Sequence, residues 1–328
     1  MKELKLEKPF QAKQIISWLM KGVSSWDEMS NLPLSLRNRL NGENIQIISS
    51  RIAERHDDRS AVKLLIELED KCLIECVMLS DGEGRKTACI SSQVGCAMGC
   101  AFCKTGTMGL VRNLKDYEIV EQMIHLHTLD PHIGHIVFMG MGEPLHNFAS
   151  LMSAVTYFHN PATFNISYRK MTVSTCGLVP GIRQLAELNL GVRLAVSLVS
   201  AEDETRSRIM KVNRRYPLSE LKKALISFQH TCDKRITLEY CLLSGVNTTR
   251  ESAKALFNFT QGLSVNVNLI PWNRIDGLEW DTPSRDEIRA FTRMLDTYHI
   301  SYTLRLPKGR GISGACGQLA TSTRRNED

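Results

Sequence analysis

The sequence predicts an α/β fold: a partial parallel barrel of six β-then-α units, preceded by a small accessory region of helices and strands. Short β-type runs alternate with helical stretches from about residue 86 onward, and the turn-rich segment DGEG at 81–84 separates them from the preceding chain. Six such alternations favour a parallel sheet wound as a barrel. The 328 residues are 43% hydrophobic and 23% charged, which excludes a disordered chain, a collagen and a coiled coil.

The accessory region is predicted to span residues 1–81. Its first part, residues 1–45, is expected to form small helices, because apolar residues recur there at near-helical spacing: Phe10, Ile15, Ile16, Trp18 and Leu19. Residues 51–79 are expected to form a small β unit. Its two strand-like runs, AVKLLIELED and KCLIECVML, are separated by a turn around Asp70 and Lys71.

The core is predicted to span residues 82–313, with a tail at 314–328. Its strands are TACISSQ (87–93), HIVFMGM (135–141), KMTVSTC (170–176), VRLAVSL (192–198), RITLEYCLL (235–243) and VNVNLIPW (265–272). Helical periodicity marks residues 249–263 and 284–299, and the second stretch opens with a capping box from Ser284 to Glu287. In such folds the chemistry gathers at the C-terminal ends of the strands.

Charge and cysteine content restrict the class of function. The 41 basic and 35 acidic residues leave a net charge of +6, which is compatible with a polyanionic partner. No apolar run approaches the ~20 residues of a membrane span, and the N-terminus MKELKLEKPF has no apolar signal core. We therefore expect a cytoplasmic protein with no membrane partner. In that compartment its ten cysteines favour metal binding or redox chemistry over disulfides.

The strongest motif is a cysteine triplet, Cys96, Cys100 and Cys103, with the spacing C-x3-C-x2-C after the first core strand. Three thiolates suit a four-iron cluster that leaves one iron open for another ligand, because full protein ligation takes four. A zinc site would need a fourth ligand nearby, and the nearest downstream histidine is His125. A zinc site and unligated buried thiols are the alternatives.

The triplet resembles the signature of the radical S-adenosylmethionine (SAM) superfamily. The surrounding motifs resemble the RlmN/Cfr family of RNA adenine methyltransferases, from about Pro9 to Ala320: SSQVGCAMGCAFCKTGTMGLVRNL, MGMGEPLHN, TVSTCGLVPGI, LAVSL, VNLIPWN and ISGACGQLA. This resemblance implies a partial (βα)6 radical SAM barrel that binds a [4Fe–4S] cluster and SAM.

The resemblance also implies a set of binding residues. Cys96, Cys100 and Cys103 match the cluster ligands. Glu143, in Gly142-Glu143-Pro144, matches the residue that binds the SAM amine, and a carboxylate suits an ammonium group. The positions that match SAM contacts are Gly142, Glu143, Ser174, Ser197, Leu198, Val199 and Asn273. Many family members have histidine where this chain has Val199.

Three further residues match the family's catalytic positions. Cys316, in the tail, matches the cysteine that carries the methyl group, and Cys89 matches its partner thiol. Glu75 matches the proposed proton acceptor. The resemblance implies that Cys316 is methylated first. A radical from a second SAM then abstracts hydrogen from that methyl group, the resulting carbon radical adds to the adenine, and Cys89 releases the product by forming a disulfide with Cys316.

The implied partners are 23S ribosomal RNA, transfer RNA next to the anticodon, an electron donor such as flavodoxin or ferredoxin, and a thiol reductant. A basic segment around Tyr216 is a candidate phosphate-binding patch or a solvated helix face. Its seven cations are Arg206, Arg208, Lys211, Arg214, Arg215, Lys222 and Lys223. Lys308 and Arg310, beside the Cys316 loop, are a second candidate.

Several alternatives to adenine carbon-2 methylation remain. Cfr-type methylation at carbon 8 is one of them: NLIPWN favours carbon 2, whereas CKTG at 103–106 and MKVN at 210–213 favour carbon 8. A passive iron–sulfur or zinc protein that binds RNA is another, although such a protein has no use for the Cys89/Cys316 pair. The third is a radical SAM enzyme that acts on a small molecule.

Overall fold

The computed structural model describes residues 4–6, 8–305 and 309–320. Its strands are β1 Arg51–Asp58, β2 Ala61–Glu67, β3 Leu73–Ser80, β4 Lys86–Cys89, β5 Gln93–Gly95, β6 Leu110–Asn113, β7 Ile133–Phe138, β8 Met171–Thr175, β9 Arg193–Ser197, β10 Ile236–Leu242, β11 Val265–Pro271 and β12 Tyr302–Leu304.

The α-helices of the same residues are α1 Pro9–Leu19, α2 Leu34–Gly42, α3 Lys104–Thr107, α4 Asp116–Leu129, α5 Phe148–His159, α6 Val179–Leu188, α7 Asp203–Ile209, α8 Val212–Arg215, α9 Leu218–Cys232, α10 Arg250–Thr260 and α11 Arg285–Thr297. Short 3-10 helices lie at Trp26–Glu28, Pro144–Asn147, Tyr168–Lys170 and Arg310–Ile312. Within these described segments, no helix is both long and apolar enough to cross a bilayer.

One sheet organises the molecule, and it confirms the predicted α/β barrel architecture. Across the described residues, ten strands follow the order β1-β2-β3-β4-β7-β8-β9-β10-β11-β12. From β4 through β12 neighbouring strands are parallel, whereas β1 to β4 are antiparallel. The small β unit therefore continues directly into the parallel strands, since Val77 of β3 pairs with Cys89 of β4.

The six core strands predicted from the sequence are present, but β1, β6 and β12 were missed. Strand β6 has four residues, three of them exposed. All eight residues of β1 are exposed, so this strand lacks the apolar alternation that marks a half-buried strand. Strand β12 has only three residues, too few for a periodic signal. The first predicted core strand also ends early. After Cys89 the chain turns, and residues 93–95 pair with β6 in a separate two-stranded sheet.

The N-terminal helices have a core of their own, formed by Ile15, Trp26, Met29, Leu36 and Leu40 among others. The helical prediction for this region is confirmed, but fewer of the apolar residues of α1 are buried than their spacing suggested. Ile15 is buried, whereas Phe10 is 51% exposed.

A polar clamp joins this helical unit to the barrel. Glu121 on α4 accepts hydrogen bonds from the backbone nitrogens of Ser49 (2.8 Å) and Ser50 (3.0 Å), and from the Ser50 hydroxyl (2.6 Å). His125 Nε2, one turn later, lies 3.0 Å from the same hydroxyl. Because Ser50 donates its proton to Glu121, His125 is the donor in that contact. Burial lowers the pKa of His125 to about 4, so the clamp contains a neutral imidazole.

We expect Phe158→Ala to lower the free energy of unfolding by about 3–5 kcal/mol, because the cavity it leaves cannot collapse fully. Phe158 on α5 is completely buried, and its ring centroid lies 6.3 Å from that of Phe138 on β7. Chemical denaturation measures the change. The control is Phe10→Ala, which removes an exposed ring and should cost well under 1 kcal/mol. Equal losses in the two variants would contradict this core assignment.

We expect the clamp to make stability depend on pH. The folded protein resists protonation of His125 down to pH about 4, whereas an unfolded histidine takes up a proton near pH 6.5. The contribution of neutral His125 to the free energy of unfolding is therefore complete above pH about 6.5 and is lost as the pH falls toward 4. Relative to His125→Gln, wild type should lose roughly 3 kcal/mol over this range. Denaturation at several pH values tests this, and a pH-independent difference would contradict it.

Candidate active site

The C-terminal ends of the parallel strands surround one cavity. Most of the binding residues predicted from the sequence line it, together with the carrier cysteine: Cys96, Cys100, Cys103, Gly142, Glu143, Ser174, Ser197, Val199, Asn273 and Cys316. Leu198 does not line it, because its side chain is completely buried in the hydrophobic core. Cys89 lines a smaller neighbouring cavity that it shares with Cys316.

Close backbone packing shapes the loop that carries the three cysteines. Cys96 N donates to Gly109 O at 2.8 Å, and Gly95 has φ +75°. A Cβ on Gly95 would lie 2.0 Å from that oxygen, so only glycine fits there. A Cβ on Gly106 would likewise lie 2.8 Å from the Cys100 carbonyl oxygen. The loop thus holds three thiols at one wall of the cavity.

Glu143 presents a buried carboxylate to the same cavity. One oxygen accepts a hydrogen bond from Leu145 N (3.1 Å) and the other accepts one from Cys176 N (2.8 Å). Burial raises the pKa of Glu143, and these backbone donors oppose the rise. Gly142 precedes it with φ +100°, where a Cβ would lie 2.6 Å from the Cβ of Gln93. The carboxylate is therefore fixed in place beside the cavity.

Val199 adopts a strained backbone conformation at the cavity wall. Its φ of +59° is unfavourable for a β-branched residue and costs about 1–3 kcal/mol. Two hydrogen bonds hold it there: Val199 N donates to Glu239 O at 3.3 Å, and Val199 O accepts from Asn247 Nδ2 at 2.7 Å. Strain of this kind clusters at ligand sites, which fits the place of Val199 on the cavity.

The segment that follows β12 returns to the barrel and carries Cys316. Asn273 Nδ2 donates to Cys316 O at 3.3 Å, and Lys104 N donates to Gly317 O at 2.9 Å. Thr105 Oγ1 donates to Leu319 O at 2.6 Å. Two of these three bonds come from α3, which begins directly after the last cysteine of the triplet. The loop of the three thiols and the segment of Cys316 are therefore packed as one unit.

Cys316 lies where two cavities meet. It lines the larger one with the three cysteines and the smaller one with Cys89. Arg305 lines both, and its pKa is raised mainly by its interaction with Cys316 and, more weakly, by Glu239 and Cys89. Burial raises the pKa of Cys89 to about 12, partly offset by the Arg305 charge. Cys89 is therefore a neutral thiol that faces the same space as Cys316.

Glu75 is buried on β3 and lines neither of the two cavities. Its Oε1 forms an ion pair with Lys63 Nζ at 2.8 Å, and its Oε2 accepts a hydrogen bond from Ala320 N at 2.8 Å. Burial raises the pKa of Glu75, whereas Lys63 lowers it. The structure thus places Glu75 against the chain four residues beyond Cys316.

Comparisons with known proteins agree with this site. The sequence profile of the Radical SAM superfamily matches residues 90–255, and that of the ribosomal RNA large subunit methyltransferase N-terminal domain matches residues 3–47. The chain is 42% identical to a probable dual-specificity RNA methyltransferase RlmN of Treponema denticola, covering 98% of this chain and 92% of that protein. It belongs to the RlmN family.

Two further comparisons support this membership. The chain is 43% identical to the dual-specificity RNA methyltransferase RlmN of Pelobacter propionicus, covering 94% of this chain and 89% of that protein. The crystal structure of a radical SAM methyltransferase from Sphaerobacter thermophilus matches with a TM-score of 0.90 and 37% identity, covering 94% of this chain and 92% of that one. Streptococcus suis SuiB, 12% identical with a TM-score of 0.51, shares the fold.

As a radical SAM methyltransferase of the RlmN family, the chain uses a [4Fe–4S] cluster and SAM, and its donor atoms fit the cluster. The three cysteines supply thiolate sulfur, the usual protein ligand of iron–sulfur clusters. In the described residues, no three His, Cys, Asp or Glu side chains converge closely enough to hold a single metal ion. Three thiolates would leave one iron of a four-iron cluster without a protein ligand.

A buried cation beside the thiols adds to that fit. Arg206 is completely buried, and its guanidinium donates to Cys176 O (2.7 Å), Leu198 O (3.0 Å) and Asn213 Oδ1 (2.8 Å), all neutral acceptors. Burial lowers its pKa, and Cys176 and Cys100 oppose that shift. Asp203, which accepts a hydrogen bond from Asn213 Nδ2 at 2.9 Å, compensates part of this charge, and an anionic thiolate-ligated cluster would compensate it further.

Arg206 corrects one prediction from the sequence. As a completely buried residue it is not a phosphate contact, although Arg208, Lys211, Arg214 and Arg215 beside it are exposed. Of the second candidate patch, Lys308 and the side chain of Arg310 lie outside the described residues.

Sequence reasoning also missed two residues that line the cavity, Arg305 and Glu239. Glu239 could have been recognised from the sequence as a candidate site residue, because it is the only acidic residue in the apolar run RITLEYCLL.

We expect Arg206→Gln to destabilise the protein by at least about 2 kcal/mol and to reduce the iron content after anaerobic reconstitution. The substitution leaves buried carbonyls without donors, at about 1–3 kcal/mol each, and removes the cation beside the thiols. Denaturation curves and iron analysis measure the two effects. Arg208→Gln, on the exposed face of the same helix, is the control. The account of Arg206 is wrong if the two variants have equal stability and iron content.

Proposed function

We propose that this chain makes 2-methyladenosine in 23S ribosomal RNA and in transfer RNA next to the anticodon, with Cys316 as the carrier of the methyl group. The observation that carries the proposal is the position of Cys316. Cys316 lines both the cavity of the three cysteines and the smaller cavity of Cys89. The relatives described as dual-specificity RNA methyltransferases support an RNA substrate.

The reaction needs a protein carrier because carbon 2 of adenine is not nucleophilic, so direct displacement at the SAM sulfonium fails. When bound, the cluster and SAM supply the methyl group and the radical chemistry that activates it. Glu143 would bind the SAM amine, because its carboxylate is fixed beside the three thiols. Cys316 would accept the methyl group on sulfur and present the activated carbon to the adenine.

Cys89 is the proposed resolving thiol. Radical addition leaves an unpaired electron on the adenine, so the adduct must first give up one electron, which the oxidised cluster would accept, and its ring proton. Cys89 then attacks the Cys316 sulfur of the covalent protein–RNA adduct, so that an S–S bond forms and the C–S bond breaks. The electron pair of the C–S bond passes to the methylene carbon, which takes up a proton and becomes the product methyl group. Arg305 contributes a positive charge close to both sulfurs, which favours the thiolate form that this attack requires. A thiol reductant then restores the two thiols.

Glu75 is the proposed acceptor of the adenine ring proton. Its carboxylate is held by Lys63 and Ala320 in this structure and faces neither cavity. The role therefore requires that the segment after Cys316 shifts when RNA binds, which would free the oxygen that now accepts from Ala320. Lys63, which forms an ion pair with it, would keep the carboxylate charged and able to accept a proton.

The proposed partners follow from this chemistry. One-electron reduction of the cluster calls for a donor of the flavodoxin or ferredoxin class, and reduction of the Cys89–Cys316 disulfide calls for a thiol. All ten cysteines lie in the described residues and are free thiols there, which agrees with the reducing cytoplasm that we propose as the location.

We expect reconstituted enzyme, supplied with reductant, SAM and unmodified ribosomal and transfer RNA under anaerobic conditions, to form a nucleoside that co-elutes with 2-methyladenosine in liquid chromatography–mass spectrometry. Co-elution with 8-methyladenosine would instead establish the Cfr-type reaction, which the CKTG and MKVN segments favour. Cleavage of SAM without any methyladenosine would show that the substrate is not RNA.

We expect Cys89→Ala to trap enzyme covalently attached to RNA, because the adduct on Cys316 then has no resolving thiol. Cys316→Ala should form neither adduct nor product. Denaturing gels and mass spectrometry of the digested complex detect the crosslink. Cys232→Ala, which removes another buried thiol at the end of α9, is the control and should turn over normally. Free release of methyladenosine by Cys89→Ala would refute the resolving role.

A further inference from the structure

A second opening lies at the other end of the barrel from the cysteine loop. The residues at or just before the N-terminal ends of β4, β7, β8 and β9 line a cavity of about 820 Å³. Four of them are exposed cations and one is a histidine: Arg85, Arg169, Lys170, Arg193 and His135. We call these five residues the basic mouth. None of them belongs to the proposed cluster or SAM site.

The basic mouth has an excess of positive charge. Two acidic residues, Asp81 and Glu83, also line the cavity, and Asp81 forms an ion pair with Arg85 at 2.8 Å. In the described part of the chain, the side chains of Arg169, Lys170 and Arg193 form no ion pair. Three cations therefore face the cavity without a carboxylate partner.

His135 shows that this charge converges inside the opening. Its Nδ1 is buried and lacks a hydrogen-bond partner among the described residues. Burial lowers the pKa of His135, the charges of Lys170, Arg85 and Arg193 lower it further, and Asp81 opposes them. The opening thus offers an unpaired polar atom in a region of positive potential, which suits an anionic ligand that carries hydrogen-bonding groups.

The basic mouth leads to the proposed reacting thiols. Leu79, Val137 and Arg305 line both this cavity and the smaller cavity that contains Cys89 and Cys316. Arg305 and Cys316 in turn line the cavity of the cysteine triplet. Cys316 therefore separates the space at the C-terminal end of the barrel, which would hold the cluster and SAM, from a space that opens at the N-terminal end.

We infer that the RNA substrate enters through the basic mouth, with its phosphates on Arg169, Lys170 and Arg193 and the flipped adenosine directed along the barrel toward Cys316. The inference rests on the proposed RNA substrate and adds to it the surface that RNA contacts. A cavity of this size is within the range that holds a nucleotide-sized ligand. Enzymes that modify a base extrude it from its stack into such a pocket, and uncommitted cations supply the phosphate contacts.

The exposed arginines of α8 offer the competing route. Arg214 and Arg215 follow the C-terminal end of β9, on the side of the barrel where Lys211 packs against Gly99 of the cysteine loop. RNA that approached from there would meet the cluster and SAM before it met Cys316. The two routes place RNA at opposite ends of the strands, so charge reversal at each end distinguishes them.

The test compares Arg169→Glu/Lys170→Glu with Arg214→Glu/Arg215→Glu, two double variants that change the net charge equally. The probe is a fluorescent, unmodified anticodon stem-loop RNA, and anisotropy gives its affinity for the full reconstituted chain at several salt concentrations. We expect the mouth variant to bind the RNA at least about tenfold more weakly than wild type. Its plot of log affinity against log salt concentration should have a slope shallower by about 0.7–1.4, which corresponds to the loss of one to two phosphate contacts. The α8 variant should lose about twofold or less.

Methylation of Cys316 by SAM, measured by peptide mass spectrometry without RNA, should be the same in wild type and both variants, which shows that the reactive site is intact. Arg193→Glu provides a second mouth variant if the double variant does not fold. A mouth variant that binds RNA as tightly as wild type would overturn the inference. If wild type binds RNA but forms no methyladenosine, the proposed function fails, while the binding data still decide the route of entry.

Discussion

The arrangement of this site depends on the return of residues 314–320 into the barrel. Cys316 O, Gly317 O and Leu319 O accept hydrogen bonds from Asn273, Lys104 and Thr105, so the segment is packed against the element that follows the cysteine triplet. Without these bonds, Cys316 would lie in a surface tail. With them, its thiol faces the cysteine triplet on one side and Cys89 on the other. The chemistry proposed here needs both neighbours, because one delivers the methyl group and the other releases the product.

The site is fixed by close backbone approach and by buried charge. Gly95, Gly106 and Gly142 occupy positions where a Cβ would meet a neighbouring atom at 2.8 Å or less. Val199 is held at φ +59° on the cavity wall. Arg206 joins the ends of β8 and β9 through the carbonyls of Cys176 and Ser197, at 2.7 and 3.2 Å, while placing a cation near Cys100.

The sequence was a good guide to the barrel and a partial guide to the site. The six core strands are apolar runs that end in polar or glycine-containing turns, so both the fold and the C-terminal position of the motifs could be predicted. The exposed β1 and the three-residue β12 lack such a pattern. Charge in sequence also does not reveal burial, which is why Arg206 was placed in an RNA patch. The ion pair of Glu75 with Lys63 and the basic mouth join residues from separate strands, and only the sheet order brings them together.

The central claim is that the methyl group passes through the Cys316 sulfur as a methylene before it reaches the adenine. The most direct test is a single-turnover reaction with SAM that carries a fully deuterated methyl group, followed by mass spectrometry of the methyladenosine formed. The account predicts a product methyl group with two deuterium atoms, because one is removed while the carbon is attached to Cys316. A product with all three deuterium atoms would indicate direct transfer and would contradict the role of Cys316 as carrier.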